Sequence, residues 1–486
     1  MTVMRAAFSL LLGSLLLAPS GTPSAQEADS SDEETVETSR PSIQLLRQDE
    51  RWGPWAKGRE GLASLKFIPL GRNGTAFLTL GGEARSYGRL YRNERWGNGP
   101  AEDAYLLQRL MMHGALQTDL GPEWAQVRVF AQLKSGVIAD RKGPVYPPDK
   151  DLLGVNQAFL EARSRVGPDG HLTVRVGRQE LHYGTGRMIA VREGPNVRLG
   201  FDAVLARYER GSWRADAFAA TPTETAPGIL DNGWINGRTL WGMHLRRRKG
   251  REEVSLYYFG TDRTAAPVGN GLHVTRHTIG GRVQGTTDAL TYVLDGAVQF
   301  GRFDRASSPI GAEGAERGRV HASRFAGRLS YQVHPVLGAP KIGLMADWSS
   351  GDVEGTGAHE TFVAPYPSGH FTGAGSRLGP SNLINMGPVL TVRPQAEIRL
   401  RLKSHFFWRP RSGDGVYAIW GAPLRPASDT GAQFIGVMPE AVLSVDVSRH
   451  LLLALEASYF NAGPVLRESG AGREMTHLGL RVRYAF

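Results

Sequence analysis

Met475-Thr-His-Leu-Gly-Leu-Arg-Val-Arg-Tyr-Ala-Phe486 alternates without a break. Leu478, Leu480, Val482, Tyr484 and Phe486 fall on one side, and Gly479, Arg481, Arg483 and Ala485 on the other. Successive side chains of an extended chain point to opposite faces, so the stretch predicts a strand with one apolar and one wet face. A soluble β-sandwich also contains strands of this kind. A last strand that closes on an aromatic residue is more specific, because it resembles the signal that outer-membrane assembly machinery reads on barrel proteins.

Working back from that strand, the same period of two holds as far as Thr75. It divides into about eighteen segments, each long enough for the roughly 9–11 residues that a tilted strand needs to cross a bilayer. The junctions separate two classes. Leu120–Glu123, Gly167–Gly170, Gly211, Lys249–Arg251, Thr286–Asp288 and Val447–His450 are short. Residues 92–103, 138–154, 182–200, 222–237, 261–272, 304–318, 350–381, 409–432 and 462–472 are long and rich in Gly, Pro and Asn. Strict long–short alternation is what extracellular loops and periplasmic turns require, and a sandwich or propeller has no reason for it. The expected fold is all-β: a closed antiparallel transmembrane barrel with both termini in the periplasm. A barrel of this strand number is wide enough to hold an aqueous channel.

Composition fits an envelope protein. The 486 residues include no cysteine, as suits a chain that crosses an oxidising compartment unfolded. Mean hydropathy is −0.27, a soluble-looking value that barrels share because half of each strand faces water. Residues 1–25 read as an export signal, with Arg5 ahead of an apolar run over 6–18 too short to span. Residues 26–44 read as an acidic, disordered linker and 45–74 as a periplasmic segment packing at the rim. The barrel is expected over 75–486, in the outer membrane of a Gram-negative bacterium. Its expected surroundings are lipid and lipopolysaccharide, with the assembly machinery as a transient partner. A monomer with no nucleic-acid partner is expected.

Charge on a lipid face costs about 2–4 kcal/mol near the midplane, so parity also assigns the lumen. It places Arg85, Arg109, Arg128, Lys134, Arg163, Arg175, Arg207, Arg214, Arg246, Arg282, Arg324, Arg328, Arg399, Arg401, Lys403, Arg481 and Arg483 inside. Glu83, Glu161, Glu209, Asp216, Asp295, Asp347, Glu397, Glu440, Asp446 and Glu456 share that face. Cations outnumber acids by seventeen to ten on parity alone. A low-dielectric wall focuses such an excess and concentrates anions, and the planar guanidinium matches a carboxylate. Any one of these arginines is as well explained as a member of a wall-stiffening Arg–Glu ladder. Tyr208, Trp213, Tyr331, Tyr459 and Tyr484 fall outside, as an interface girdle.

No nucleotide-binding loop, zinc-protease helix motif or serine-hydrolase elbow occurs. His273 and His277 share a strand face, but four residues of strand separate them by ~13 Å, too far to share a metal. The loop acids Asp149 and Asp151 offer at most a weak Ca²⁺ site and read rather as solvated charge. No enzyme activity, cofactor or metal site is expected.

Several blocks carry a resemblance. Lys66-Phe-Ile-Pro-Leu-Gly71, Gly81-Gly-Glu-Ala-Arg85, Val176-Gly-Arg-Gln-Glu-Leu181, Tyr183-Gly-Thr-Gly-Arg187, Val191-Arg-Glu-Gly-Pro-Asn-Val-Arg198 and Arg483-Tyr-Ala-Phe486 resemble the alginate-export porin family. The resemblance implies an eighteen-stranded monomer whose arginine-rich lumen passes an anionic polysaccharide. The 176–202 block has its own reading. Its glycines permit tight bends, so this loop is expected to fold into the pore. Arg178, Glu180, Arg187, Arg192, Glu193 and Arg198 are its constriction candidates. The expected function is passive diffusion of an alginate-like uronate polymer or oligomer. A porin for small organic anions or general solutes is the alternative, and an outer-membrane enzyme or an adhesion barrel is further off.

Overall fold

The computed structural model describes residues 41–71, 75–121, 126–264, 272–305, 317–334, 336, 338–353, 356, 358–426 and 430–486. The export signal expected over 1–25, and the linker as far as residue 40, lie outside the described residues.

Alternation becomes strand throughout. The wall consists of β1 (Ala76–Arg92), β2 (Glu102–Asp119), β3 (Gln126–Ala139), β4 (Asp151–Val166), β5 (Gly170–Gln179) and β6 (Phe201–Arg210). It continues through β7 (Trp213–Pro222), β8 (Arg238–Lys249), β9 (Glu252–Arg263), β10 (Leu272–Thr286), β11 (Leu290–Arg305) and β12 (Arg317–Gln332). It ends with β13 (Lys341–Ser349), β14 (Leu383–Gln395), β15 (Ile398–Trp408), β16 (Phe434–Asp446), β17 (Leu451–Ala462) and β18 (Met475–Ala485). Each strand pairs antiparallel with its neighbours in the chain. The ring closes where β18 meets β1, from Glu83 opposite Ala485 to Arg92 opposite Thr476. The Phe486 amide donates to the Gly82 carbonyl at 3.0 Å, and the Gly82 amide returns the bond at 3.1 Å. Closure leaves no strand edge to satisfy, which is the condition for sheet inside lipid.

The outward face is apolar, as parity required. Val176, Val298 and Leu344 are 49, 55 and 64 % exposed to the surroundings of the barrel. No described helix is long and apolar enough to cross a membrane, so the crossing is made by strands. The turns between β6 and β7 and between β8 and β9 pivot on Gly211 (φ 52°) and Gly250 (φ 56°), a backbone region that residues with a Cβ enter at a cost.

The interior is not the open wet bore that strand number alone suggests. Two extracellular loops fold into it, over 180–200 and 358–382, as does the N-terminal segment. Tyr183, Met188 and Ile189 of the first loop meet Phe362, Ala364 and Tyr366 of the second over the inward Leu205, Phe218 and Phe259. The loops are joined backbone to backbone: Ala190 donates to the Tyr366 carbonyl at 2.9 Å, and Tyr366 to that of Met188 at 2.8 Å. This apolar cluster explains why the wall between β6 and β9 carries inward Leu and Phe.

The first loop leaves the wall just after Gly177, whose φ is +128° and whose missing Cβ would lie 2.4 Å from the Ala158 carbonyl. Gly177→Ala is therefore expected to destabilise the barrel by about 1–3 kcal/mol. Loss of heat resistance of the folded form on unboiled electrophoresis reads the effect. A variant as heat-resistant as wild type would contradict the strain.

Candidate functional site

The charged residues expected inside are on the inner wall, and most are paired. Arg109 binds Glu83 through Nε at 3.1 Å. Arg175 reaches Glu161 at 2.5 Å, Arg282 reaches Glu253 at 2.5 Å, and Arg481 reaches Glu456 at 2.5 Å. Arg207 and Arg214 both fork onto Asp216 at 3.0 and 3.1 Å. Lys403 meets Glu440 at 2.7 Å, Arg324 meets Asp295 at 3.4 Å, and Lys134 meets Asp151 at 3.6 Å. Arg163 approaches Glu209, and Arg246 approaches Glu253, at 3.8 Å. Arg328, Arg399, Arg401 and Arg483 are half-buried on the same face. Much of the cationic wall is thus the ladder that parity alone also allowed.

The 180–200 loop is pinned across the lumen by this wall. At its far end Arg85 donates to the carbonyls of Glu193 at 2.6 Å and Pro195 at 2.7 Å. Arg109 grips the Glu193 carboxylate as well as Glu83. Arg198 pairs with Glu180 at 3.0 Å and with Glu193 at 3.5 Å. The Asn196 amide fastens the loop to the carbonyls of Gln108, Val137 and Asp149 at 2.9, 3.1 and 3.1 Å. On the opposite wall Arg187 pairs with Asp347 and lies 3.8 Å over the ring of Phe371. Burial opposes charge on Glu193, but Arg109, Arg198 and Arg85 outweigh it and hold that carboxyl far below its ordinary range. For Glu180 burial prevails over Arg198 and the Asn156 amide, and its carboxyl is raised.

Arg178 is the exception among the constriction candidates. Opposite residues of a ladder share a face, and Arg178 stands opposite Ala158 two places beyond the outward Val176. It forks onto Asp202 at 2.9 and 3.0 Å, away from the lumen. The parity that sends Leu172, Val174 and Val176 outward, carried two residues further, assigns it correctly.

The N-terminal segment enters from the periplasmic side and goes past the rim. Lys66 and Phe67 do stay at the start of β1, where Lys66 Nζ donates to the Leu80 carbonyl at 2.9 Å and Phe67 stacks on Phe77. Residues 44–52 reach inside. Arg47 binds Glu50 and the Gly82 carbonyl, Gln48 donates to the Glu180 carbonyl, and Arg128 donates to that of Gln48. Arg198 donates to the Leu45 carbonyl at 2.8 Å, so segment and loop touch. Asp49 lies between Arg175 and Arg207, at 3.6 and 3.8 Å. Arg51 pairs with Glu161 at 3.1 Å. The sequence reading places 45–74 at the periplasmic rim; residues 44–52 instead pass it and enter the lumen, which no local pattern shows.

No described residues form a His, Cys, Asp or Glu group able to hold a metal. His273 binds Asp262 at 2.9 Å and His277 binds the Tyr258 hydroxyl at 2.8 Å, so each has a structural partner of its own. Asp149 caps the Tyr146 amide at 3.2 Å and Asp151 accepts from Asn232 at 2.7 Å.

A closed barrel with infolded loops and a charged inner wall defines a porin-type channel of the Gram-negative outer membrane. Residues 76–480 match the alginate export family, and the chain belongs to it. Its wall superposes on a BenF-like porin from Pseudomonas fluorescens Pf-5 with a TM-score of 0.55 at 9 % identity, covering 84 % of this chain and 98 % of that one. OccAB1 of Acinetobacter baumannii gives 0.54 at 13 % identity over 85 and 97 %. OccAB3 of Acinetobacter baumannii gives 0.55 at 10 % over 84 and 99 %. At such identities the likeness is one of fold. No curated protein compared with the chain matches it.

Proposed function

We propose that this channel passes an anionic, uronate-bearing polysaccharide or oligosaccharide by passive diffusion along an arginine-lined route. The observation that carries the reading lies beside the N-terminal segment. There Arg128, Arg175, Arg207 and Arg214 face two wall carboxylates, Glu161 and Asp216. The chain's own Asp49 carboxylate is drawn in between Arg175 and Arg207. A wall whose guanidiniums draw in a carboxylate from their own chain offers the same positive charge to a carboxylate in transit. Membership of the alginate export family supports the same cargo.

A porin for small organic anions is the second reading, favoured by the filling of the interior by loops 180–200 and 358–382. Planar-bilayer recordings with matched oligomers separate the two. Uronate oligomers are expected to block the current at concentrations where neutral oligomers of equal length do not. Equal block by both would remove the uronate reading, and block by monomeric carboxylates but not by oligomers would favour the second.

A further inference from the structure

Three guanidiniums gather where the two infolded loops meet the extracellular end of the wall. Arg192 belongs to loop 180–200, Arg238 opens β8 and Arg263 closes β9. Arg192 and Arg263 flank Tyr366 of the other loop, which is 3 % exposed, and Arg238 stands opposite Arg263 in the ladder. Arg192 stands 5.7 Å and Arg263 5.5 Å from the centre of its ring. Among the described residues no carboxylate bonds to any of the three, unlike the wall pairs below them. Arg263 donates one Nη to the Pro365 carbonyl at 2.7 Å, which ties the second loop to the wall. The Nε atoms of Arg192 and Arg263 are buried and have no hydrogen-bond partner, and the buried Tyr366 hydroxyl faces the Arg263 guanidinium.

Such a grouping is costly without an anion. Buried donors left unpaired each cost about 1–3 kcal/mol, and like charges repel strongly where water is scarce. Burial, and then the charges of Arg263 and Arg238, push the Arg192 guanidinium down to about 10 against the pull of Tyr366. Arg192 also holds a left-handed backbone, with φ at 58°. Non-glycine residues in that region are uncommon, and they cluster where the surroundings over-determine them, ligand clamps included.

We propose that Arg192, Arg238, Arg263 and the Tyr366 hydroxyl form a carboxylate-binding site at the extracellular mouth, which takes one uronate of the oligomer. This rests on the anionic-sugar reading above and adds the place where the sugar is held. Three guanidiniums and a phenol offer more donors than one carboxylate has lone pairs, so the site discriminates against neutral sugars by leaving those donors unpaired. The site also bridges both loops and the wall. An occupied site therefore ties loop 180–200 to loop 358–382 more firmly than an empty one.

The test uses the full-length channel in planar bilayers with uronate oligomers on the extracellular side. Tyr366→Phe removes only a hydroxyl, and Arg238→Gln removes a charge that no described hydrogen bond uses. Each is expected to raise the half-blocking concentration roughly tenfold, read against that variant's own unblocked current. Arg192→Asn tolerates the left-handed backbone and is expected to act the same way, while Arg238→Lys recovers part of the block. Wild-type block by uronate that persists unaltered in the Arg238→Gln/Tyr366→Phe double variant would overturn this site and leave the cargo reading standing. Wild-type block that is equal for uronate and neutral oligomers would overturn both.

Discussion

A chain lacking residues 41–52 is expected to conduct severalfold better than the full-length protein and to prefer anions more strongly. The removed stretch contributes Leu45, Gln48, Asp49 and Arg51 to the space between Arg128, Glu161, Arg175, Arg198 and Arg207. Its departure opens that cross-section and returns Arg175 and Arg207 to passing ions. The barrel should survive the deletion, because Lys66 and Phe67, which bind the start of β1, remain. What holds the stretch is mostly polar. The side chains of Asp49 and Arg51 are 29 and 38 % exposed, so their ion pairs are worth at most about 1 kcal/mol each. Arg47 and Gln48 are buried and hold harder, through the Gly82 and Glu180 carbonyls. An intermediate result is therefore expected from Asp49→Asn: a modest gain in conductance, with more frequent openings at high salt, where exposed pairs are screened. Single-channel recording reads both variants. Conductance and reversal potential unchanged in the deletion would mean that ions already bypass the segment, and its insertion would then be structural only.

The wall and its filling differ in how far the sequence carries them. Each strand has lipid on one side, and a charge there is penalised on its own, without reference to any other part of the chain. That is why the alternation of Leu478, Leu480 and Val482 against Arg481 and Arg483 fixes both the strand and its faces locally. The filling depends on contacts remote in sequence. Arg47 meets the Phe486 carbonyl 439 residues away, and Arg187 meets Asp347 across 160. Neither end of such a pair shows its partner in the local pattern. Loop 180–200 was an intermediate case. Its glycines and alternating Arg and Glu announced a bent, charge-rich loop, and Glu180, Arg187, Arg192, Glu193 and Arg198 all lie in the interior. The covering loop 358–382 and its Tyr366 were invisible, since an aromatic in a long loop has no period to betray what it covers. Inward Leu205, Phe218 and Phe259 were the available hint, because apolar side chains on a wet face require a lid.

Replacing Glu193 by Gln is expected to loosen the constriction loop and make the channel more anion-selective at once. Glu193 is the one acid that Arg85, Arg109 and Arg198 share within the loop's anchor. Gln keeps the shape and removes the charge, which leaves Arg109 with Glu83 and Arg198 with Glu180 as their remaining acids, while Arg85 keeps its bonds to the loop carbonyls. The Glu193 side chain is 27 % exposed, so the stability lost is on the order of 1–3 kcal/mol, below the figure for a fully buried pair. The backbone bonds from Arg85 to the Glu193 and Pro195 carbonyls persist, so the loop should loosen without leaving. The pH behaviour follows from the sign of the carboxyl's displacement. A carboxyl held below its unfolded value near 4.3 adds stability that is present above that value, and loses it only as pH falls through the depressed one. Wild type should therefore keep this anchor from pH 7 down to about 5, whereas the Gln variant is loosened across that whole range. Reversal potentials in a salt gradient, measured at both pH values, read the selectivity, and heat resistance reads the anchor. A Gln variant that matches wild type in heat resistance and selectivity would show that the arginines are satisfied by Glu83 and Glu180 alone, and that the route through the barrel avoids the loop.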